Sequence, residues 1–143
     1  MTHKFSLPCY ELTDIIIGIY YSVLSSFNAP RGVPEKGFRD TFVMRLRAAD
    51  LKAEPEKPIV MRDNGIYIQT LYADIVVEDL VVVEIKNVGH ISEKHIEQGV
   101  NYMDHGGYPV GLIFNYGQPD ALPRRLPRPA RYHKEPKQCP DSK

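Results

Sequence analysis

Long apolar runs, an excess of one charge and a cysteine framework are all missing from this 143-residue chain. The most apolar early run, DIIIGIYYSVLSSF, is too short and too amphipathic to cross a bilayer, and no basic segment with a cleavage site precedes it. Formal net charge is zero, so nucleic-acid binding has to come from a local patch rather than bulk attraction. The two cysteines, Cys9 and Cys139, stand near opposite termini. They make no disulfide framework, and a reduced, cytoplasmic setting is expected. The five histidines (His3, His90, His95, His105, His133) lack the HxxxH or CxxC spacing that would support a zinc site.

What is present suits one ordinary globular domain, with 43% hydrophobic and 25% charged residues. Residues 14 to 27 carry Ile15, Ile16, Ile19, Tyr20, Val23, Leu24 and Phe27 at helical spacing, with Thr13 or Asp14 as the expected cap. A second helix is expected from Pro34 to about Ala49. The segment from Lys57 to Lys86 reads as three strands, with Asn64-Gly65 and the VED stretch as turns. A helix from about Ser92 to Asp104 and a fourth strand, YPVGLIFNY, follow. The expected fold class is α/β, a central mixed four-stranded sheet flanked by helices in the order α-α-β-β-β-α-β, with the third and fourth strands parallel across a helical crossover. Residues 1–116 form this domain. Residues 117–143 hold six of the twelve prolines and are expected to be a flexible, basic tail.

Three features break the apolar pattern. Glu84 and Lys86 interrupt a valine strand on one face, and charge taken from water costs several kcal/mol unless compensated. Asp74 joins that face if it pairs with Glu84 across a three-residue loop, Glu78 to Leu80; a two-residue loop turns it away. Two carboxylates and a lysine suit a hard divalent cation beside an activated water, whereas an exposed strand end carrying a Glu–Lys pair is the bland alternative. Glu35 heads the apolar stripe of the second helix, as a ligand or as an acid favouring the helix dipole. His95, Gln98 and Tyr102 share a polar flank of the third helix.

The run Gly32-Val33-Pro34-Glu35-Lys36-Gly37-Phe38, the stretch YADIVVEDLVVVEIKNV, the helix HIEQGVNYM and the strand VGLIFNYG together resemble the small prokaryotic GxxExxY proteins. Those proteins are a branch of the PD-(D/E)XK nuclease superfamily, and the resemblance covers about residues 12 to 117. It implies a restriction-endonuclease-like core. It also implies that Asp74, Glu84 and the Ile85 carbonyl bind Mg²⁺ (or Mn²⁺), and that Glu35 holds the metal or its water shell. Lys86 would orient or help deprotonate the attacking water. Gln98 and Tyr102 resemble the Q-x-x-x-Y motif of nuclease domains in recombination helicases and lambda exonuclease, which act on DNA ends. Phe38 stands where the branch has its signature tyrosine, so only ring packing is expected there. An iron–sulfur cluster, present in some relatives, needs four cysteines and is excluded.

The expected function is therefore Mg²⁺-dependent hydrolysis of DNA phosphodiesters, leaning to exonuclease action on ends. RNA as substrate, and a catalytically silent nuclease-fold module binding nucleic acid or a partner protein, are the alternatives; a homo-oligomer is possible. Candidate nucleic-acid contacts are Arg39, Arg45 and Arg47 on the second helix and Arg124 and Arg125 in the tail. That tail carries seven cationic side chains against three acidic ones.

Overall fold

The structure, a computed structural model, describes residues 9–140. His3, Asp141 and Lys143 lie outside them. α1 (Cys9–Leu24) leads through a 3-10 turn (Pro30–Gly32) into α2 (Glu35–Ala48). β1 (Ala53–Asp63), β2 (Ile66–Val77) and β3 (Val81–Lys86) form an antiparallel meander. α3 (Glu93–Gly106) crosses to β4 (Val110–Asn115), which runs parallel to β3, and β5 (Arg124–Arg125) closes the sheet in the order β1-β2-β3-β4-β5.

The mixed α/β architecture is the one the patterning predicts, with one strand more. α1 begins well before Thr13 because Cys9, Leu12, Ile16, Tyr20 and Val23 extend one buried stripe at steps of three and four. Thr13 is an interior helix residue whose hydroxyl bonds back to the Tyr10 carbonyl, not a cap. Ser92 does cap α3. Its Oγ accepts from the His95 backbone, and the His95 side chain accepts from the Ser92 N–H. The Asn64-Gly65 turn holds both residues at positive φ, 49° and 82°, which Asn and Gly tolerate best.

The continuous valines of β3 follow from burial on both faces. Val81, Val83 and Ile85 pack under α1 and α2 with Phe38, Phe42, Leu46 and Phe114. Val82 faces α3 with Tyr102, Met103 and Ile113. Phe38 is fully buried and stacks on Tyr116 with ring centroids 4.2 Å apart, a purely packing role. The two sheet edges share a feature. β1 contains Pro55 and Pro58 and holds Glu56 at a φ of 50°, while β5 is two residues long and lies between Pro123 and Pro127.

The chain after Gly117, expected as a separate tail, is built onto the domain. β5 pairs with β4, and Leu126 is buried in a notch between Gly99 and Gly111. A Cβ on Gly99 or Gly111 would come within 2.4 Å or 2.6 Å of its Cδ1. Further on, the Tyr132 hydroxyl donates to the Tyr108 carbonyl, and Lys137 pairs with Asp79 at 2.8 Å. The cysteines, expected to be unbridged and reduced, are joined as a Cys9–Cys139 disulfide that ties α1 to this segment. Sequence separation of 130 residues hid the pairing, because only the fold brings the ends together. Leu126→Ala should lower the stability of the whole domain by about 2–4 kcal/mol, the cost of an uncollapsed core cavity. Urea unfolding would show a lower midpoint at unchanged slope; a shift below about 0.5 kcal/mol would mean the segment adds nothing to the core.

Candidate metal centre at the ends of β2 and β3

The turn between β2 and β3 uses three residues, Glu78, Asp79 and Leu80, the first two at φ of 54° and 57°. That length sets the register: Val77 faces Val81 and Ile75 faces Val83, so Asp74 comes opposite Glu84. At this step side chains replace the backbone ladder. The Asp74 N–H donates to Glu84 Oε2 at 2.9 Å, and the Ile85 N–H donates to Asp74 Oδ2 at 2.8 Å. Each carboxylate is thus held by one backbone donor, with its second oxygen free of that tie.

Glu84 is 2% exposed, which rules out a solvent-facing Glu–Lys strand end. Burial, with the Asp74 charge adding to it, pushes its carboxyl up to about 8; the Asp74 N–H and Lys86 pull the other way. Asp74 is also raised, by burial first and by the Glu35 charge, against the Ile85 N–H, Lys86 and Arg39. An acidic pair with one member buried and the other half-buried is short of positive charge.

Glu35 reaches the same place from the first turn of α2. It is exposed, yet its Oε2 accepts from the Asn87 N–H at 3.1 Å, just past β3. It lines a cavity of about 120 Å³ with Lys36, Arg39, Glu56, Asp74 and Ile85. From the opposite layer, Tyr102 is buried within reach of the acids' charges. Burial and then the Glu84 and Asp74 charges hold it protonated far above the usual tyrosine range, with the exposed Gln98 side chain opposing. Glu35, Asp74 and Ile85 thus line one cavity, Glu84 is tied to Asp74, Lys86 and Tyr102 interact with the acids through charge, and Gln98 hydrogen-bonds Tyr102.

The arginines divide differently from expectation. Arg45 is spent on the end of α1, where its guanidinium binds the Ser22 carbonyl and the Ser26 hydroxyl. Arg47 binds the Ala53 carbonyl. Arg125 reaches the Thr13 hydroxyl, and Arg124 is exposed beside it. Arg39 lies in the cavity wall, paired with Glu56 at 2.9 Å and Asp40 at 3.4 Å. Glu56 is the residue that the pattern misses. The β1–β2 register puts it across from Asp74, between the Pro55–Ile75 and Lys57–Ala73 pairs, but nothing in EPEKP marks it as a site residue. Asn115 supports the site from behind. Its Oδ1 accepts from the Val88 and Gly117 N–H groups and its Nδ2 donates to the Val88 carbonyl. Gly117 allows this close approach, since a Cβ there would lie 2.5 Å from Val88 backbone atoms.

The donors fit a divalent cation of the hard, oxygen-binding kind: a buried and a half-buried carboxylate, both with raised proton affinity, a third at the rim, and a strand-end carbonyl. Asp74 and Glu84-x-Lys86 on adjoining strands, under a crossover helix, form the arrangement that the sequence resemblance implied. The family model of the PD-(D/E)XK nuclease superfamily matches residues 10–126, and the chain belongs to that superfamily. Neither the curated proteins nor the solved structures compared with it give a match. Among the described residues no helix is long and apolar enough to cross a membrane.

Proposed function

We propose that the protein is a Mg²⁺- or Mn²⁺-dependent nuclease of the GxxExxY branch that hydrolyses DNA, preferring ends. The observation that supports this is the pair of backbone hydrogen bonds, Asp74 N–H to Glu84 and Ile85 N–H to Asp74, which hold the two carboxylates side by side next to Lys86. Asp74, Glu84 and the Ile85 carbonyl would hold the metal, with Glu35 on it or on its waters. When bound, a divalent cation supplies an easily deprotonated water and neutralises phosphate charge.

The chain's own residues do the remaining work. Lys86, on the Glu84 face, orients the attacking water and offsets charge developing on the phosphate oxygens. Tyr102, kept protonated by burial and the neighbouring acids, retains a hydroxyl proton to donate, and with Gln98 it hydrogen-bonds the phosphate or its water. Arg39 steadies Glu56 and lends positive charge to the cavity wall. Exposed Arg124 is the better placed of the tail arginines for backbone phosphates.

The deciding experiment incubates the full chain with linear duplex DNA, closed circular DNA, single strands and RNA, with Mg²⁺, Mn²⁺ or a chelator. Cleavage of linear DNA that needs the metal and spares closed circles is expected. Cutting of circles would replace end preference by endonuclease action. Absence of any metal-dependent cleavage would leave the nucleic-acid-binding module in its place.

A further inference from the structure

The last turn of α3, the tail and the tip of the β1–β2 hairpin bring together a second set of ligating side chains, none of which belongs to the acidic site. Asp104 and His105 come from α3, His133 from the chain beyond β5 and Asp63 from the end of β1. Asp104 Oδ2 lies 2.9 Å from His133 Nδ1 and 3.5 Å from His105 Nε2. One ligand atom from each of the three lies within 4.8 Å of the others. The two imidazoles stack with centroids 4.3 Å apart. The His133 backbone N–H also donates to Asp104, and the Lys134 N–H donates to the Asp104 carbonyl at 3.2 Å, so the backbone holds the tail in place here.

Two of these spacings suit a tetrahedral metal site. With metal–ligand bonds of about 2.0–2.1 Å, two ligand atoms sit about 3.3 Å apart. The observed 2.9 Å and 3.5 Å bracket that value. The outer ring nitrogen of His133 is already engaged: Nε2 is 3.0 Å from Asp63 Oδ1. A carboxylate on the far nitrogen of a ligating histidine is the usual support of such a site, since it fixes the tautomer that leaves the other nitrogen's lone pair for the metal. Both histidines border a cavity of about 280 Å³, so an ion can enter and a fourth ligand has room. Arg62 and Lys134 also border it, which favours an anionic or water ligand there.

We propose that Asp104, His105 and His133 form a site for a zinc-class divalent cation, with Asp63 orienting His133. Two imidazoles and one carboxylate select zinc, cobalt or nickel over magnesium or calcium, which take oxygen ligands. The ion clamps the tail to the end of α3. The histidines show no zinc spacing along the chain because the fold, and not a local loop, assembles the group.

The test uses the full chain, stripped with a chelator, and Zn²⁺ or Co²⁺ titrated by calorimetry and visible absorption with millimolar Mg²⁺ present to occupy the acidic site. One equivalent of Zn²⁺ should bind, Co²⁺ should give tetrahedral absorption bands, and Zn²⁺ should raise the melting temperature. His133→Asn should weaken Zn²⁺ binding at least 100-fold, and His105→Asn should do the same from the buried side. Asp63→Asn should weaken it about 10- to 100-fold, while Glu84→Gln should bind Zn²⁺ as the wild type does. No Zn²⁺ equivalent in the wild type, unchanged binding in both histidine variants, or loss in Glu84→Gln instead would overturn the proposal.

Discussion

Glu84→Gln is expected to abolish metal-dependent cleavage while making the metal-free protein more stable near neutral pH. The amide keeps the shape and still accepts the Asp74 N–H, but it removes one of the two charges that attract the cation. The stability effect has a definite sign. Glu84 titrates at about 8 in the folded chain, above its ordinary 4.5, so between those values the native state holds a proton that the unfolded state lacks. Wild-type stability is therefore greatest at low pH on this account and falls as pH rises from about 4.5 through 8, by up to about 1.4 kcal/mol per unit. Glu84→Gln removes that slope. Thermal melts at pH 5, 6.5 and 8 in chelator check it: the wild type should lose ground to the variant at each step. A variant that melts below the wild type at pH 8 would show that the carboxylate is structurally favourable and the acidic pair is not strained for charge.

Lys86→Ala should give the other large effect, on turnover alone. The carboxylates and the Ile85 carbonyl survive, so Mn²⁺ affinity measured by calorimetry should stay within about threefold. The water-orienting ammonium is gone, and kcat should fall about 10²- to 10⁴-fold, the usual worth of a positioned proton-transfer group. Lys86 also tempers the acids, as its charge lowers both Asp74 and Glu84. The metal-free variant should accordingly lose some stability at pH 8. A kcat within threefold of wild type would remove Lys86 from the chemistry.

The acidic site was legible because its signal is local. Period-two alternation placed Glu84 and Lys86 on one face, and a three-residue turn fixes Asp74 opposite Glu84. The helices and the parallel β3–β4 pair were legible from periodicity and caps. Glu56 was not, because its role depends on a β1 register and a left-handed backbone that no pattern in EPEKP encodes. The tail misled for a related reason. Proline density speaks against helix and central strand, but it does not forbid an edge strand or a buried leucine, and the two-glycine notch for Leu126 is visible only in three dimensions. The Cys9–Cys139 bridge and the Asp104–His105–His133 group share that property: their members are distant in the chain.

The prolines at the sheet's borders bear on how the protein behaves in a crowd. An open sheet presents two rows of unpaired amides, and a neighbouring chain can add a strand to either and start a fibril. Pro55 and Pro58 delete donors from the β1 row, and the left-handed Glu56 between them breaks its straight run. On the far side β5 offers only two residues between prolines. A third chain feature reinforces the first border, since Glu54, Glu56 and Lys57 would set charge against any incoming strand. Template-driven stacking of copies is thereby hindered along the first half of β1 and at β5.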